Sequence, residues 1–434
     1  MNQLLCIQYA RQWVYIAIIF LLKLHFSSAG DPCPPPEKLH PCLCYNDPEM
    51  RARLPTTPIP IVTSRRPDVE VSSLSKQERS PDVIKEEAEV SPELKNGAKP
   101  RSIEEGSLLK SPLTPTNATC CTVISCSAPR SLFILEDAVV NGLNRKWVDK
   151  MIVANLPPEK SYTLVRLPRG WLKMLRVKHF EIRDTLLSGD FIHYGSPFEG
   201  QEQSMLWFAA RNCYLSGTLS YETVGTVNTK GLNLMPRIEG VDFSRNHLVH
   251  ISNTAFRYPP ANLSTIILSF NSIQSIEAST FHYAPLLKRV DLSHNLLENI
   301  YRSLFLSPAR NLQNLDLSWN QLKSLPTDLF GNMPQLKAVI LSNNFLTALP
   351  PQPWSNVWRQ LLFIDISNNF IQCDCSLTWL LPILSPPVVN VSTTPAPQPL
   401  TGQLVFGSCS YIQPNSFSKP YKLTSITRSS LNCQ

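Results

Sequence analysis

After Gly30 the 434-residue sequence has no apolar stretch long enough to cross a bilayer as a helix, which takes about 20 residues. It has no glycine-rich phosphate loop and no histidine at metal-ligand spacing, so neither a nucleotide, a cofactor nor a metal is expected. His250, His282 and His294 recur at varying positions, and no motif sets a nucleophilic Ser or Cys beside a base. The expectation is a chain that is not an enzyme. From Asn46 to Thr119 there is no Phe, Tyr or Trp, while prolines and charges of both signs are dense, as in Arg65-Arg66-Pro67-Asp68 and Lys85-Glu86-Glu87. Such a stretch cannot bury enough apolar surface to offset its ordering entropy, so residues 46–119 are expected to form a disordered insertion.

What is present begins with a leader. Arg11, an apolar run from Trp13 to Leu22, Lys23 and the small residues Ser27-Ser28-Ala29-Gly30 have the layout of a secretory signal cut near Ala29. The run is too short to span a membrane, although Leu24 and Phe26 extend it and leave an uncleaved anchor as the alternative. With no later membrane segment and the sequence stopping one residue after Cys433, a soluble, secreted, extracellular product is expected.

Six asparagines, Asn246, Asn271, Asn295, Asn320, Asn344 and Asn369, follow at separations of 25, 24, 25, 24 and 25 residues inside one hydrophobic frame. Two copies read Leu287-x-x-Val290-x-Leu292-x-x-Asn295-x-Leu297 and Leu312-x-x-Leu315-x-Leu317-x-x-Asn320-x-Leu322. This is the leucine-rich repeat pattern, and it predicts an α/β-type solenoid with a curved parallel β-sheet on its concave face. Period-2 apolar residues make a short strand, and the later Leu, Ile and Phe fill the coil beneath it. Each Asn amide is placed to bridge backbone groups of adjacent coils that would otherwise be buried unpaired. The frame is regular over 238–372 and loose from 131 to about 237, where Leu172-x-x-Leu175-x-Val177 and the copy around Cys213 still suggest strands but the Asn spacing between them is lost.

Cysteines cluster at the two ends, where a solenoid must cover its last hydrophobic coil. Cys373-Asp374-Cys375-Ser376-Leu377-x-Trp379-Leu380 with Cys409 and Cys433, over 373–434, resembles the cap that closes extracellular leucine-rich repeat proteins. That resemblance implies pairs Cys373 to Cys409 and Cys375 to Cys433. An N-terminal cap opens over 30–45 with Cys33-Pro34-Pro35 to Pro41-Cys42-Leu43-Cys44 and closes over 120–130 with Ile124-Ser125-Cys126-Ser127. Together with Asn212-Cys213-Tyr214-Leu215 and the later repeats, this arrangement resembles arthropod secreted leucine-rich repeat proteins similar to the non-catalytic subunit of Oplophorus-luciferin 2-monooxygenase. It departs from them in the insertion and in Cys120 and Cys121. The N-terminal pairs are then taken as Cys33 to Cys44 and Cys42 to Cys126, which leaves Cys120, Cys121 and Cys213 over. Cys213 occupies the asparagine position, where a free thiol can serve; an interchain bridge through Cys120 or Cys121 is the other possibility.

Three features bear on function. The position before each repeat asparagine varies, as Arg245, Phe270, His294, Trp319, Asn343 and Asn368, after an invariant Ser. Arg245, Phe270, His294, Trp319 and Asn343, with Lys288 and Arg289, are candidates for a partner-binding surface on the concave face, aromatic residues on a polar face being common interface anchors; packing along the sheet is the alternative. Arg166, Arg169, Lys173 and Arg176 suggest a contact with sulfated glycans, or simply a solvated face. Asn117, Asn262 and Asn390 begin glycosylation sequons. The expected function is extracellular protein recognition with an unknown protein or receptor, and no nucleic acid. The alternatives are a non-catalytic stabilising subunit of an extracellular enzyme and a structural matrix or adhesion glycoprotein.

Overall fold

The structure is a computed structural model that describes residues 39–40 and 42–46 and most of 122–433; residues 1–38, 47–121, 385–402 and several short loops lie outside the described residues. The leader, Cys33, the expected insertion from residue 47 onward, Asn117, Cys120, Cys121 and Asn390 therefore lie outside them too, while Asn46, its first residue, pairs with Thr122 in a strand. The chain divides into two units, Met1–Pro48 with Cys120–Gln434, and Glu49–Thr119. The repeats and the described cap cysteines all belong to the first unit.

Alternation within a coil makes each strand. Val290 and Leu292 point inward and are completely buried, while Arg289 keeps part of its surface in solvent. Repetition of this pattern stacks Gly240–Asp242, Thr265–Ile267, Arg289–Asp291, Asn314–Asp316, Ala338–Ile340 and Phe363–Asp365 in parallel register. They belong to a 12-stranded sheet that continues toward the N-terminus through Trp207–Arg211, Arg176–Arg183, Trp147–Ala154 and Thr122–Ser127, and ends at Leu404–Phe406. Cys42–Asn46 pairs antiparallel with Thr122–Ser127 and closes the N-terminal edge. Past the N-terminal cap, the described α-helices are short: Leu132–Asp137, Pro351–Trp354 and Leu381–Leu384. A repeat of 24 or 25 residues leaves little room for a helix, so the regular coils return through turns and short 3-10 segments such as Arg302–Leu304.

Beneath the sheet, large rings pack in two inner runs. Phe256, Phe281 and Phe305 follow one another at 6.0 and 5.6 Å, and Phe330, Trp354, Trp358 and Trp379 carry the packing on to the C-terminal end at 4.8, 5.3 and 5.2 Å. The asparagines act as the frame requires. Asn320 Oδ1 accepts the Leu297 N–H of the preceding coil at 3.0 Å, and its Nδ2 donates to Leu292 O, Leu317 O and Ser318 O. Asn271, Asn295, Asn344 and Asn369 repeat the arrangement.

The N-terminal half keeps the coil with other residues. Thr185 Oγ1 stands in the asparagine place, accepting Leu156 N–H and donating to Arg183 O, and Cys213 follows it, its Sγ donating to Ile182 O and Arg211 O. Cys213 is the free thiol among the described cysteines, and burial pushes it up to about 12. The strands of this half are longer, eight residues in Trp147–Ala154 and in Arg176–Arg183. Disulfides join Cys42 to Cys126, Cys373 to Cys409 and Cys375 to Cys433. Cys44 is also disulfide-bonded, to a residue outside the described ones.

Candidate recognition surface

Directly past each strand the chain must turn inward to bury its asparagine, and the residue at that corner is left-handed. Arg245, Phe270, His294, Trp319, Asn343 and Asn368 have φ of 59, 56, 54, 56, 58 and 54°. Few non-glycine residues adopt this region, and here a cross-coil hydrogen bond holds each of the first four: Arg245 N–H to Ser269 O at 3.0 Å, Phe270 to Ser293 at 3.0 Å, His294 to Ser318 at 2.9 Å and Trp319 to Ser342 at 2.9 Å. Successive coils lie about 4.8 Å apart, so side chains leaving at the same angle meet face to face. The Arg245 guanidinium sits 4.4 Å over Phe270, Phe270 stacks on His294 at 3.9 Å, and His294 on Trp319 at 5.1 Å with planes 11° apart. Asn368 Nδ2 donates to Asn343 Oδ1 at 3.0 Å and continues the column.

These residues therefore stand on the rim where strands leave the concave sheet, not on its floor. Their ring faces stack on one another, and Trp319 is 37% exposed. One residue further, beyond the asparagines, Leu296, Phe345 and Phe370 are exposed, the two phenylalanines stacked at 5.9 Å. Lys288 is not part of this group. It is exposed just before its strand, at the opposite end from His294, and its carbonyl accepts from Gln313 and Asn314 N–H.

On the floor, Arg289 pairs with Asp291 at 3.5 Å. The serine column is framework: Ser293, Ser318 and Ser367 each donate both N–H and Oγ to an Asp Oδ1 two residues back. Asp291 and Asp316 are register partners on neighbouring strands. Burial, and then the Asp291 charge, push the Asp316 carboxyl up to about 6, against the pull of the Ser318 hydrogen bonds and Arg289.

The basic group is largely paired internally. Arg169 and Lys173 share Glu199 at 3.4 and 3.1 Å, and Arg166 meets Asp190 at 3.4 Å. Arg176 donates to the carbonyls of Lys173 and Leu175. Asn262 is exposed shortly before the strand Thr265–Ile267.

Two clusters escape a reading of the sequence. On the concave floor of the N-terminal half, Glu181 is met by Lys150 at 2.9 Å and Arg211 at 3.5 Å, while Arg211 also holds Asp242 at 2.6 Å. Burial opposes the Glu181 charge, but Arg211 and Lys150 outweigh it and keep the carboxyl below its ordinary value. The second cluster sets a serine beside a histidine with no sequence motif to mark it. On a smaller parallel sheet, His250 Nδ1 meets Ser275 Oγ at 2.7 Å and Nε2 meets Glu277 Oε1 at 3.1 Å, with Glu277 also accepting from Asn253 N–H and Ser252 Oγ. The Glu277 side chain is 42% exposed, and the cluster links neighbouring coils of that sheet. Separations of 25 and 27 residues, one repeat, are the signal that points to it.

Six copies of the BspA type leucine rich repeat region match residues 249–375. No curated protein matches the chain. Among solved structures, it is similar to a chain of the TLR13–ssRNA13 complex, with 16% identity over 65% of this chain and 35% of that one and a TM-score of 0.45. It thus spans about a third of that chain's length. A chain of the octameric complex of Latrophilin 3, Unc5D and FLRT2 shows 17% identity over 66% of this chain and 83% of that one, TM-score 0.45. The leucine-rich repeat domain of APL1B shows 20% identity over 52% and 55%, TM-score 0.32. The chain carries a leucine-rich repeat region and folds as a leucine-rich repeat solenoid.

Proposed function

We propose that this is a secreted, extracellular recognition protein that holds a protein partner along the strand-exit rim of its concave face. The observation that carries the reading is the column Arg245, Phe270, His294 and Trp319, stacked and fixed at its backbone, with Leu296, Phe345 and Phe370 exposed beside it. Aromatic and arginine side chains dominate protein interfaces, and side chains already ordered in the free protein lose little entropy on binding. The cap disulfides support an oxidising compartment.

The test is a photo-crosslinker placed at Phe345 and, as control, at Asp328 on an outer turn, in protein incubated with the extracellular material of its source. A discrete adduct from position 345, absent from position 328 and lost when Trp319→Ala is added, is the expected result. Equal adducts from both positions, or an adduct that survives Trp319→Ala, would remove the rim from consideration. The adduct's identity separates a receptor from a catalytic chain, which the resemblance to a non-catalytic enzyme subunit suggests, and from a matrix component.

A further inference from the structure

Trp207 opens the strand Trp207–Arg211 on the concave floor and is the register partner of Gly240. A Cβ added at Gly240 would lie 2.0, 2.3 and 2.7 Å from three atoms of the Trp207 six-membered ring. The indole therefore lies flat on the neighbouring strand's backbone, in space that only a glycine leaves. Gly240 has no left-handed φ, so the glycine serves clearance and not backbone conformation. Trp207 remains half-buried with one face on the sheet, which turns its accessible surface toward the concave space.

The groups next to this platform are ordered and charge-balanced. Two residues along the strand is the small, buried Ala209, flanked in register by Glu181 and Asp242. Arg211 reaches back to both acids, its Nε donating to Asp242 Oδ2 at 2.7 Å and its Nη1 lying 3.5 Å from Glu181. Lys150 adds a contact to Glu181 at 2.9 Å, and Lys178 one to Asp149 at 2.6 Å. Arg183 lies 3.8 Å from Asp184. Four cations, Lys150, Lys178, Arg183 and Arg211, thus face four acids, Asp149, Glu181, Asp184 and Asp242.

We propose that this floor binds a neutral, hydroxyl-rich ligand, an oligosaccharide, with one pyranose ring stacked on Trp207 and its hydroxyls on Arg211 and Lys150, the part-exposed members of the group whose acids are buried. A polyanion gains affinity by neutralising free lysines and arginines, and these are already neutralised. A sugar hydroxyl oxygen accepts from the guanidinium and ammonium N–H groups, which Glu181 and Asp242 hold in place from below. The C–H face of a pyranose supplies the apolar surface that an indole face covers. Because the ion pairs hold these groups in place beforehand, little ordering remains to be done on binding. The site lies on the floor, across the coil of Trp207–Arg211 and the strand Gly240–Asp242 that precedes Arg245, and does not rest on the protein-recognition reading.

Titration of the full chain by calorimetry with cellohexaose, chitohexaose and laminarihexaose, against a heparin hexasaccharide and an oligothymidylate, tests this. At least one neutral hexasaccharide is expected to bind saturably, with its ring protons shifted upfield in the NMR spectrum by the indole. Trp207→Ala and Gly240→Ala should each weaken it about tenfold or more, the second by displacing the ring without removing it, and Trp319→Ala should leave it unchanged. The proposal is overturned if no neutral hexasaccharide binds, if only the polyanions bind, if the upfield shifts are missing, or if a folded Gly240→Ala protein binds as well as the wild type. The upfield shift is read on the wild-type protein, so it decides the matter even where a variant fails to fold.

Discussion

The two halves of the solenoid build the same coil by different means. From Asn246 onward three-residue strands are held by a buried amide in each coil, and the corner residues stack into one column. From Trp147 to Arg211 strands run five to eight residues, the asparagine place is taken by Thr185 and Cys213, and the concave floor is knit by ion pairs. A long strand supplies more ladder hydrogen bonds per coil, so the N-terminal half needs less from the corner amide. A short strand depends on it. The exposed surface follows suit: polar and interlocked on the N-terminal floor, ring edges along the C-terminal rim.

The largest effect expected is on the ion pairs. Arg211→Met leaves Asp242, almost wholly buried, and Glu181 without their guanidinium, and should cost about 3 kcal/mol in urea unfolding. A change near zero would mean the N-terminal floor is held by its strands alone. In the regular half the corresponding change is Asn320→Ala, which strands Leu297 N–H, takes one of the donors from the Leu292, Leu317 and Ser318 carbonyls, and should cost about 2 kcal/mol. Equal sensitivity to Cys213→Ala would erase the contrast between amide and thiol coils.

The halves should also respond oppositely to pH. Asp316 has its carboxyl raised in the folded protein, so the fold binds that proton more tightly than the unfolded chain does. The stability it contributes is present below about pH 4 and lost as pH rises through about 6, so Asp316→Asn should raise the melting temperature by about 2 °C at pH 7 and not at pH 4. Glu181 is lowered, so its contribution is present above the ordinary glutamate range and lost as pH falls through its depressed value. Glu181→Gln should lower the melting temperature at pH 7, with the deficit shrinking in acid. Parallel pH profiles for the two variants would contradict this division. The smallest effect on folding is expected for Trp319→Ala, about 1 kcal/mol or less, because its stacking on His294 is at the surface. A much larger loss would make the rim column a structural element rather than a surface for a partner.

Much of the regular half was legible in advance because its signal is local and periodic. Leu292 and Asn295 occupy the same environment as Leu317 and Asn320, so one copy explains the next. The irregular half was less so. Thr185 in the asparagine place carries no marker in the sequence, and a threonine there reads as any loop threonine until the coil is seen.

The sequence by itself determined the coil: which residues turn inward, which side chains bridge backbone groups, and where the ends must be closed, since burial and hydrogen-bond satisfaction act within one repeat and its copy. Tertiary structure alone decided the surface. Only the left-handed corner moves Phe270, His294 and Trp319 from floor to rim. Only the register of unequal coils lays Trp207 on Gly240 and brings Arg211, 31 residues before Asp242 in the chain, against it. A side chain's direction depends on where its neighbours come to lie, and that is settled by stacking, not by spacing.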